Sequence, residues 1–259
     1  MMRLANKVAI VTGSGQGIGR AIAERMGEEG ACVVVNGRDS EKIRSVVAKI
    51  ENTGGIALGV AADVTRRPEV RGLIETTLNT YGRLDILVNN AVARRRAASF
   101  FELTDEDWDI VLATGVKGVF NCIQAAARHM MDRRYGKIIN ISSPSGMGAS
   151  DSPTECNANY SAAKAAVNQL TKTFARALGP YGINVNSLAP GSVITADSFT
   201  KRSREDAQKH DAQRRKLAVL ERRGEPREIA NVAVFLASDE ASFISGQVVL
   251  ADGGRADFI

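Results

Sequence analysis

Val8-Ala9-Ile10-Val11-Thr12-Gly13-Ser14-Gly15-Gln16-Gly17-Ile18-Gly19 is the stretch on which the reading of this 259-residue chain turns. Four apolar residues running straight into Thr12-Gly13 read as a short buried strand that ends in a turn. Ile18, Ala21, Ile22 and Met26 then recur at helical spacing. A strand, a glycine-rich turn and a helix, in that order, place backbone N–H groups and a positive helix end where a pyrophosphate can sit. Glycines allow the close approach and the dihedrals that a Cβ forbids. The spacing is Thr-Gly-x-x-x-Gly-x-Gly rather than the common G-x-G-x-x-G, but the context points to a dinucleotide.

Outward from this turn, strands and helices keep alternating. Cys32-Val33-Val34-Val35 is a second strand, and Ile43, Val46, Val47 and Ile50 mark a helix capped near Ser40. A third strand at 57–60 ends in Ala62-Asp63-Val64, and Pro68 opens the next helix. A fourth at 84–88 ends in Asn89-Asn90-Ala91. Thr104 starts a long helix that runs past Val119, with Asp107 completing a capping box. Further strands are expected at 137–141, ending in Ser142-Ser143, at 183–188 and at 247–250, the last after a helix over Pro226–Ala237. Unbroken alternation predicts a single α/β domain over 1–259, a parallel sheet with helices on both faces. Ligands of such sheets bind outside the carboxyl ends of the strands, where Thr12, Asp63, Asn89, Asn90, Ser143, Pro190 and Gly191 should converge.

Tyr160-Ser161-Ala162-Ala163-Lys164 opens a helix, because alanines are strong helix formers and Val167, Leu170 and Phe174 continue an apolar face. Residues four apart share a helix face, so the Tyr160 hydroxyl and the Lys164 ammonium can occupy one volume. A nearby ammonium favours phenolate and makes a tyrosine usable for acid/base chemistry.

Composition narrows the partners. A net charge of +5 without a nucleic-acid motif, and with aromatics at only 5%, gives no reason to expect nucleic acid. The start is polar and no long apolar run follows, so no membrane association is expected. Cys32, Cys122 and Cys156 are scattered and odd in number, which suits a reduced, cytoplasmic setting. His129 and His210 are too few and too far apart for a histidine-based metal site, and no metal is expected.

Taken in order, Thr12-Gly13…Gly17-x-Gly19, Asp63, Asn89-Asn90-Ala91, Ser143, Tyr160-x-x-x-Lys164 and Pro190-Gly191 resemble a short-chain dehydrogenase/reductase over essentially the whole chain. The resemblance implies a doubly wound Rossmann-like fold with a seven-stranded sheet, metal-free hydride transfer between NAD(P) and a carbonyl or alcohol, and a homotetramer. It implies Tyr160 as general acid/base, Lys164 as the group that depresses its pKa and holds the nicotinamide ribose, and Ser143 as the holder of the substrate oxygen. Ser142 stands at the same strand end, but Ser143 lies three before Gly146, as in the family pattern. The cofactor set it implies comprises Thr12, Gly13, Ser14, Gln16, Gly17, Ile18 and Gly19 at the phosphates, and Asp63 and Val64 at the adenine. Asn90 would lie on the ribose side, Pro190, Gly191, Val193 and Thr195 around the nicotinamide, and Tyr160 and Lys164 also belong to the set.

The chain departs from the family pattern at three places. Val92 replaces the glycine after Asn-Asn-Ala, Gly115 replaces an Asn in the long helix, and the loop between Ser143 and Tyr160 is longer, with Pro144, Pro153 and Cys156. At the end of the second strand, the acidic position that reads a ribose 2′-hydroxyl is Gly37, and Arg38 takes the place of a 2′-phosphate holder. Asp39 lies about twenty residues past the glycines, which keeps NAD(H) open, but NADP(H) is the expected cofactor. The stretch 192–224 corresponds to a substrate lid. Lysines and arginines outnumber acids over 196–216. With Arg94-Arg95-Arg96 near the same rim, this charge fits an anionic or carrier-bound substrate, and equally a solvated amphipathic helix pair. A non-catalytic dinucleotide sensor on the same fold is the competing reading, favoured by Val92 and Gly115 and opposed by the intact Ser143, Tyr160 and Lys164.

Overall fold

In the computed structural model, which describes residues 2–148, 156–195 and 218–254 together with 212, 215 and 216, each apolar run becomes a strand of one sheet. The strands are β1 (Val8–Val11), β2 (Cys32–Gly37), β3 (Ile56–Ala61), β4 (Ile86–Asn89), β5 (Gly136–Ile141), β6 (Ile183–Pro190) and β7 (Val248–Ala251). All pair in parallel, in the order β3-β2-β1-β4-β5-β6-β7. The helices are α1 (Gly17–Glu28), α2 (Ser40–Asn52), α3 (Arg67–Tyr81), α4 (Asp105–Leu112), α5 (Gly118–Asp132), α6 (Ala158–Leu178) and α7 (Pro226–Ala237). The winding direction reverses between β1 and β4, so the crevice above their carboxyl ends is the switch point at which such sheets bind ligands.

Strand side chains alternate between two cores. Ala9 and Val11 face α1, α2 and α7 through Ile22, Met26, Val46 and Val234, while Ile10 faces α3, α5 and α6 through Leu73, Ile123 and Val167. Both faces are buried, which is why these strands read as unbroken apolar runs.

The cap expected near Ser40 is Asp39: one carboxylate oxygen accepts from Glu41 N and Lys42 N at 3.0 and 3.2 Å. A carboxylate serves both of these amides, and Ser40 becomes the first helical residue. The long helix keeps its Thr104–Asp107 capping box but is interrupted by a π-helical turn over Ala113–Lys117, centred on Gly115. A run over Asp105–Asp132 is apolar and long enough to cross a bilayer by composition, contrary to the reading of no long apolar run. Its Val119, Cys122, Ile123, Ala126 and Met130 pack into the core.

Candidate active site

The glycine-rich turn is shaped by dihedrals and by neighbours. Gly13 and Gly17 have φ of +61° and +60°, a region that disfavours a Cβ. A Cβ at Gly13 would also meet Ala91 Cα at 2.8 Å, and one at Gly19 would meet Gly13 O at 2.6 Å. Thr12 Oγ1 accepts from Asn90 N at 2.9 Å and Ala91 N at 3.1 Å, tying the end of β1 to the end of β4. Asn90 Nδ2 returns the tie to Thr12 O and Gly13 O at 2.9 and 3.0 Å. Ser14 is fully buried: its N–H donates to Asn36 O, and its hydroxyl donates to Val11 O at 2.6 Å. Gln16 precedes α1 and accepts from Lys42 Nζ at 2.7 Å. Ile18 leans on the core. The result is a glycine cradle at the amino end of α1, a fit for a pyrophosphate.

Asp63, expected at the adenine, lies beyond β3, where its carboxylate accepts from Thr65 N at 2.9 Å. Burial works to raise its pKa, but the Thr65 hydrogen bonds and the Arg38 and Arg66 charges hold it below the usual range. Arg38, 81% exposed, reaches within 3.8 Å of this carboxylate. Arg38, Asp63, Arg66 and Glu69 rim a recess of about 330 Å³. Val64 is buried under Gly118. Asp39 spends its carboxylate on the α2 cap.

Tyr160 sits in the first turn of α6, 5% exposed. Its hydroxyl accepts from Arg94 Nη2 at 3.1 Å, and the guanidinium carbon lies 4.7 Å from the ring centroid. Ser143 is buried, its hydroxyl donates to Ser145 Oγ at 3.2 Å, and it helps to lower the Tyr160 pKa. Ser142 donates to Lys164 O at 3.3 Å on the same helix, and of the two serines at this strand end Ser143 is the one that acts on the Tyr160 phenol. Lys164 is buried and donates to Ile141 O at 2.6 Å, with its ammonium 5.6 Å from the Tyr160 ring centroid. Burial alone would raise the Tyr160 pKa; Arg94, Lys164 and the Ser143 hydrogen bond outweigh it and hold the phenol below its ordinary value. Burial lowers the Lys164 pKa, Tyr160 opposes that, and Arg94 adds to it.

The residues expected around the nicotinamide follow β6. Pro190 ends the strand, and Gly191 N donates to Ala251 O at 3.0 Å. Val193 forms a parallel bridge with Gly224, and Thr195 lies across from Gly17, whose Cβ position is 3.8 Å from the Thr195 methyl. Arg223, 8% exposed, holds this segment by donating to Val193 O at 2.7 Å and Ser192 Oγ at 3.2 Å. Sequence reading did not single it out, since it is one of many arginines near the lid. Most of the basic stretch 196–216 lies outside the described residues. Among the described residues no group of three His, Cys, Asp or Glu side chains gathers as a metal site.

A family profile described as enoyl-(acyl carrier protein) reductase matches residues 13–256. The chain belongs to the short-chain dehydrogenase/reductase family. It is 39% identical to the (hydroxy(phenyl)methyl)succinyl-CoA dehydrogenase subunit BbsD of Thauera aromatica, over 99% of each chain. It is 38% identical to the 3-oxoacyl-(acyl-carrier-protein) reductase FabG of Thermotoga maritima, over 98% of this chain and 99% of that one. A gluconate 5-dehydrogenase from Burkholderia cenocepacia J2315, solved with NADP and tartrate, superposes with a TM-score of 0.88 at 37% identity, covering 97% of this chain and 96% of that one. This short-chain dehydrogenase/reductase is thus an NAD(P)-dependent oxidoreductase that moves hydride between a nicotinamide cofactor and a carbonyl or alcohol.

The departures from the family pattern take defined places. Val92 is exposed, so its branched side chain points away from the packed turn. Gly115 is buried within its π turn, where a Cβ would find only Ala163 Cβ at 3.6 Å. Cys156 exchanges both backbone hydrogen bonds with Ala97 (3.2 and 2.9 Å), joining the start of α6 to the loop after β4. Arg94, expected on the substrate rim, is found on the Tyr160 hydroxyl.

Proposed function

We propose that this protein is an NADP(H)-preferring, cytoplasmic reductase or dehydrogenase of carbonyl and alcohol substrates that carry negative charge, assembled as a homotetramer. The observation that supports it most is the Tyr160 hydroxyl, lodged among Ser143, Arg94 and the Lys164 ammonium. In this reading the bound nicotinamide supplies or accepts the hydride. Tyr160 gives its proton to the substrate oxygen in reduction and takes it back in oxidation. Ser143 donates to the same oxygen and steadies the charge that develops there. Lys164, pinned to Ile141 O, keeps positive charge beside the phenol and is within reach of a ribose.

The glycine cradle at the start of α1 takes the pyrophosphate, and Asp63 and Val64 flank the adenine. Arg38 and Arg66 at the recess support the NADP(H) preference, since two guanidiniums suit a 2′-phosphate. The anionic substrate is supported by Arg94 and the basic run that follows it. For the homotetramer, fully exposed Phe243 and the exposed Leu250 of edge strand β7 offer apolar surface, and light scattering of the eluting protein tests it.

The direct experiment is NADPH oxidation over a panel of ketones with parent and Tyr160→Phe. Loss of one hydroxyl removes the proton donor and leaves helix α6 in place, so turnover should vanish while NADPH binding stays within a few-fold. Activity within a few-fold of the parent in Tyr160→Phe would remove Tyr160 from the acid/base role.

A further inference from the structure

Hydride transfer with Tyr160, Lys164 and Ser143 leaves one group over. Lys164 already brings positive charge to the phenol, yet Arg94 donates to the same hydroxyl at 3.1 Å with its guanidinium against the ring. The three arginines of the run are not equivalent. Arg95 is drawn toward α4, 3.7 Å from the Asp107 carboxylate and 3.1 Å from its neighbour's carbonyl, and Arg94 alone of the described contacts meets Tyr160.

The loop that carries Arg94 is held at both ends. Before it, Thr12 Oγ1 fixes Asn90 and Ala91; after it, Ala97 pairs with Cys156, four residues ahead of Tyr160. The path of the loop is therefore set by backbone, and it brings the exposed Arg94 close enough for its side chain to reach the phenol.

We propose that Arg94 is the substrate-carboxylate site of this enzyme, and that it selects oxo and hydroxy acids whose free carboxylate is on the reacting carbon or one carbon away. This deepens, and rests on, the anionic-substrate reading above. Reach decides the class. The substrate oxygen has to come within about 2.7 Å of the Tyr160 hydroxyl to exchange its proton. A guanidinium nitrogen at 3.1 Å from that hydroxyl is then a neighbour of the substrate oxygen as well. The guanidinium is a rigid planar fork matched to a carboxylate, so the carboxylate it grips lies beside the reacting carbonyl. 2-Oxo and 3-oxo acids meet this condition, as do the corresponding hydroxy acids. A carrier thioester has a neutral group at that distance and its nearest charge far along the arm. The reaction is unchanged: in oxidation the C–H bond leaves as hydride to the nicotinamide, and the hydroxyl proton passes to the Tyr160 oxygen.

The test compares 2-oxo and 3-oxo acids of four to six carbons with their methyl esters and N-acetylcysteamine thioesters, in the parent, Arg94→Ala and Arg94→Lys. The parent should favour at least one acid over its ester by tenfold or more in kcat/KM. Arg94→Ala should lower the acid-over-ester ratio of kcat/KM ten- to a hundredfold, largely through the KM of the acid, with Arg94→Lys in between, each variant being compared on the plateau of its own pH profile. Calorimetry of the same acid and ester against the NADP+-loaded protein, where no reduction can occur, gives a second readout: the acid binds, the ester does not, and Arg94→Ala weakens the acid at least tenfold. Equal use of acid and thioester by the parent overturns the proposal. So does an equal loss for acid and ester in Arg94→Ala, which would leave Arg94 a partner of Tyr160 only. Failure of the broader reading looks different: no ketone, neutral ones included, would be reduced at all.

Discussion

Gly146→Ala probes how closely the serine-bearing turn is set against the catalytic helix. Gly146 lies in the single helical turn over Pro144–Met147 that starts directly after Ser143, and its N–H returns to Ser143 O at 3.0 Å. A Cβ on Gly146 would stand 2.5 Å from Lys164 C, 2.6 Å from Ala165 N and 2.8 Å from Lys164 O. These are backbone atoms in the middle of α6 and cannot rotate away. Ordinary contact begins near 3.4 Å, so turn and helix must separate by about 1 Å, in the range where overpacking costs about 1–3 kcal/mol. For a chain of this size each kcal/mol is worth about 2–4 °C, so the fall in Tm is about 2–12 °C. Ser143 rides on the turn and Tyr160 on the helix, so the separation opens the distance between them. A misplacement of about 1 Å can cost on the order of a hundredfold in rate. The assay is kcat with a working ketone, beside NADPH binding by fluorescence and Tm by calorimetry. NADPH binding should change little, because the phosphate cradle belongs to β1 and α1. Gly72→Ala is the control: it sits inside α3 with ordinary dihedrals and open space, and should gain about 0.5–1 kcal/mol. Parental Tm and a kcat within threefold in Gly146→Ala would refute the wedge argument.

Arg38→Ala should shift the NADPH-over-NADH preference by at least about tenfold, the worth of a charge-assisted hydrogen bond, read as the ratio of kcat/KM values; equal losses would hand ribose reading to Asp39 or the backbone. In Gly115→Asn the added Cβ meets Ala163 at an ordinary 3.6 Å, so Tm should rise slightly and kcat change modestly in either direction. A parent without turnover that Gly115→Asn awakens would favour a sensor instead. The pH profile carries a sign. Arg94 from the loop after β4, Lys164 from α6 and Ser143 beyond β5 face the Tyr160 phenol, and α4 covers it with the apolar Val111. Arg94→Ala removes one cation, so the phenol pKa should rise. Alcohol oxidation needs phenolate, and its acidic limb should move to higher pH, while carbonyl reduction should persist to higher pH. Unmoved limbs would mean that Arg94 does not act on the phenol.

The sequence by itself determined the sheet, the phosphate turn and the Tyr160–Lys164 pair, because each is a local pattern. Apolar runs of four to eight residues, glycines at fixed offsets and a four-residue helical repeat are written within one turn or one strand. The Thr104–Asp107 capping box was legible for the same reason, as was a cap near Ser40, while the choice between neighbouring Asp39 and Ser40, both good caps, was left to the structure. What only the tertiary structure decided concerns groups far apart in the chain. Ser142 and Ser143 look alike in sequence, and only their placement against α6 separates them: Ser142 is spent on Lys164 O, while Ser143 acts on the Tyr160 phenol. Thr12 and Asn90, read as cofactor contacts, also brace each other across β1 and β4, a role created by the parallel pairing of strands some 78 residues apart. Arg94 looked like one of three equivalent rim charges. Its place on the Tyr160 hydroxyl, 66 residues away, follows from the Ala97–Cys156 bridge that draws its loop to the start of α6. Periodicity is fixed by a helix or strand alone, whereas the meeting of two loops is fixed by the sheet that carries them both.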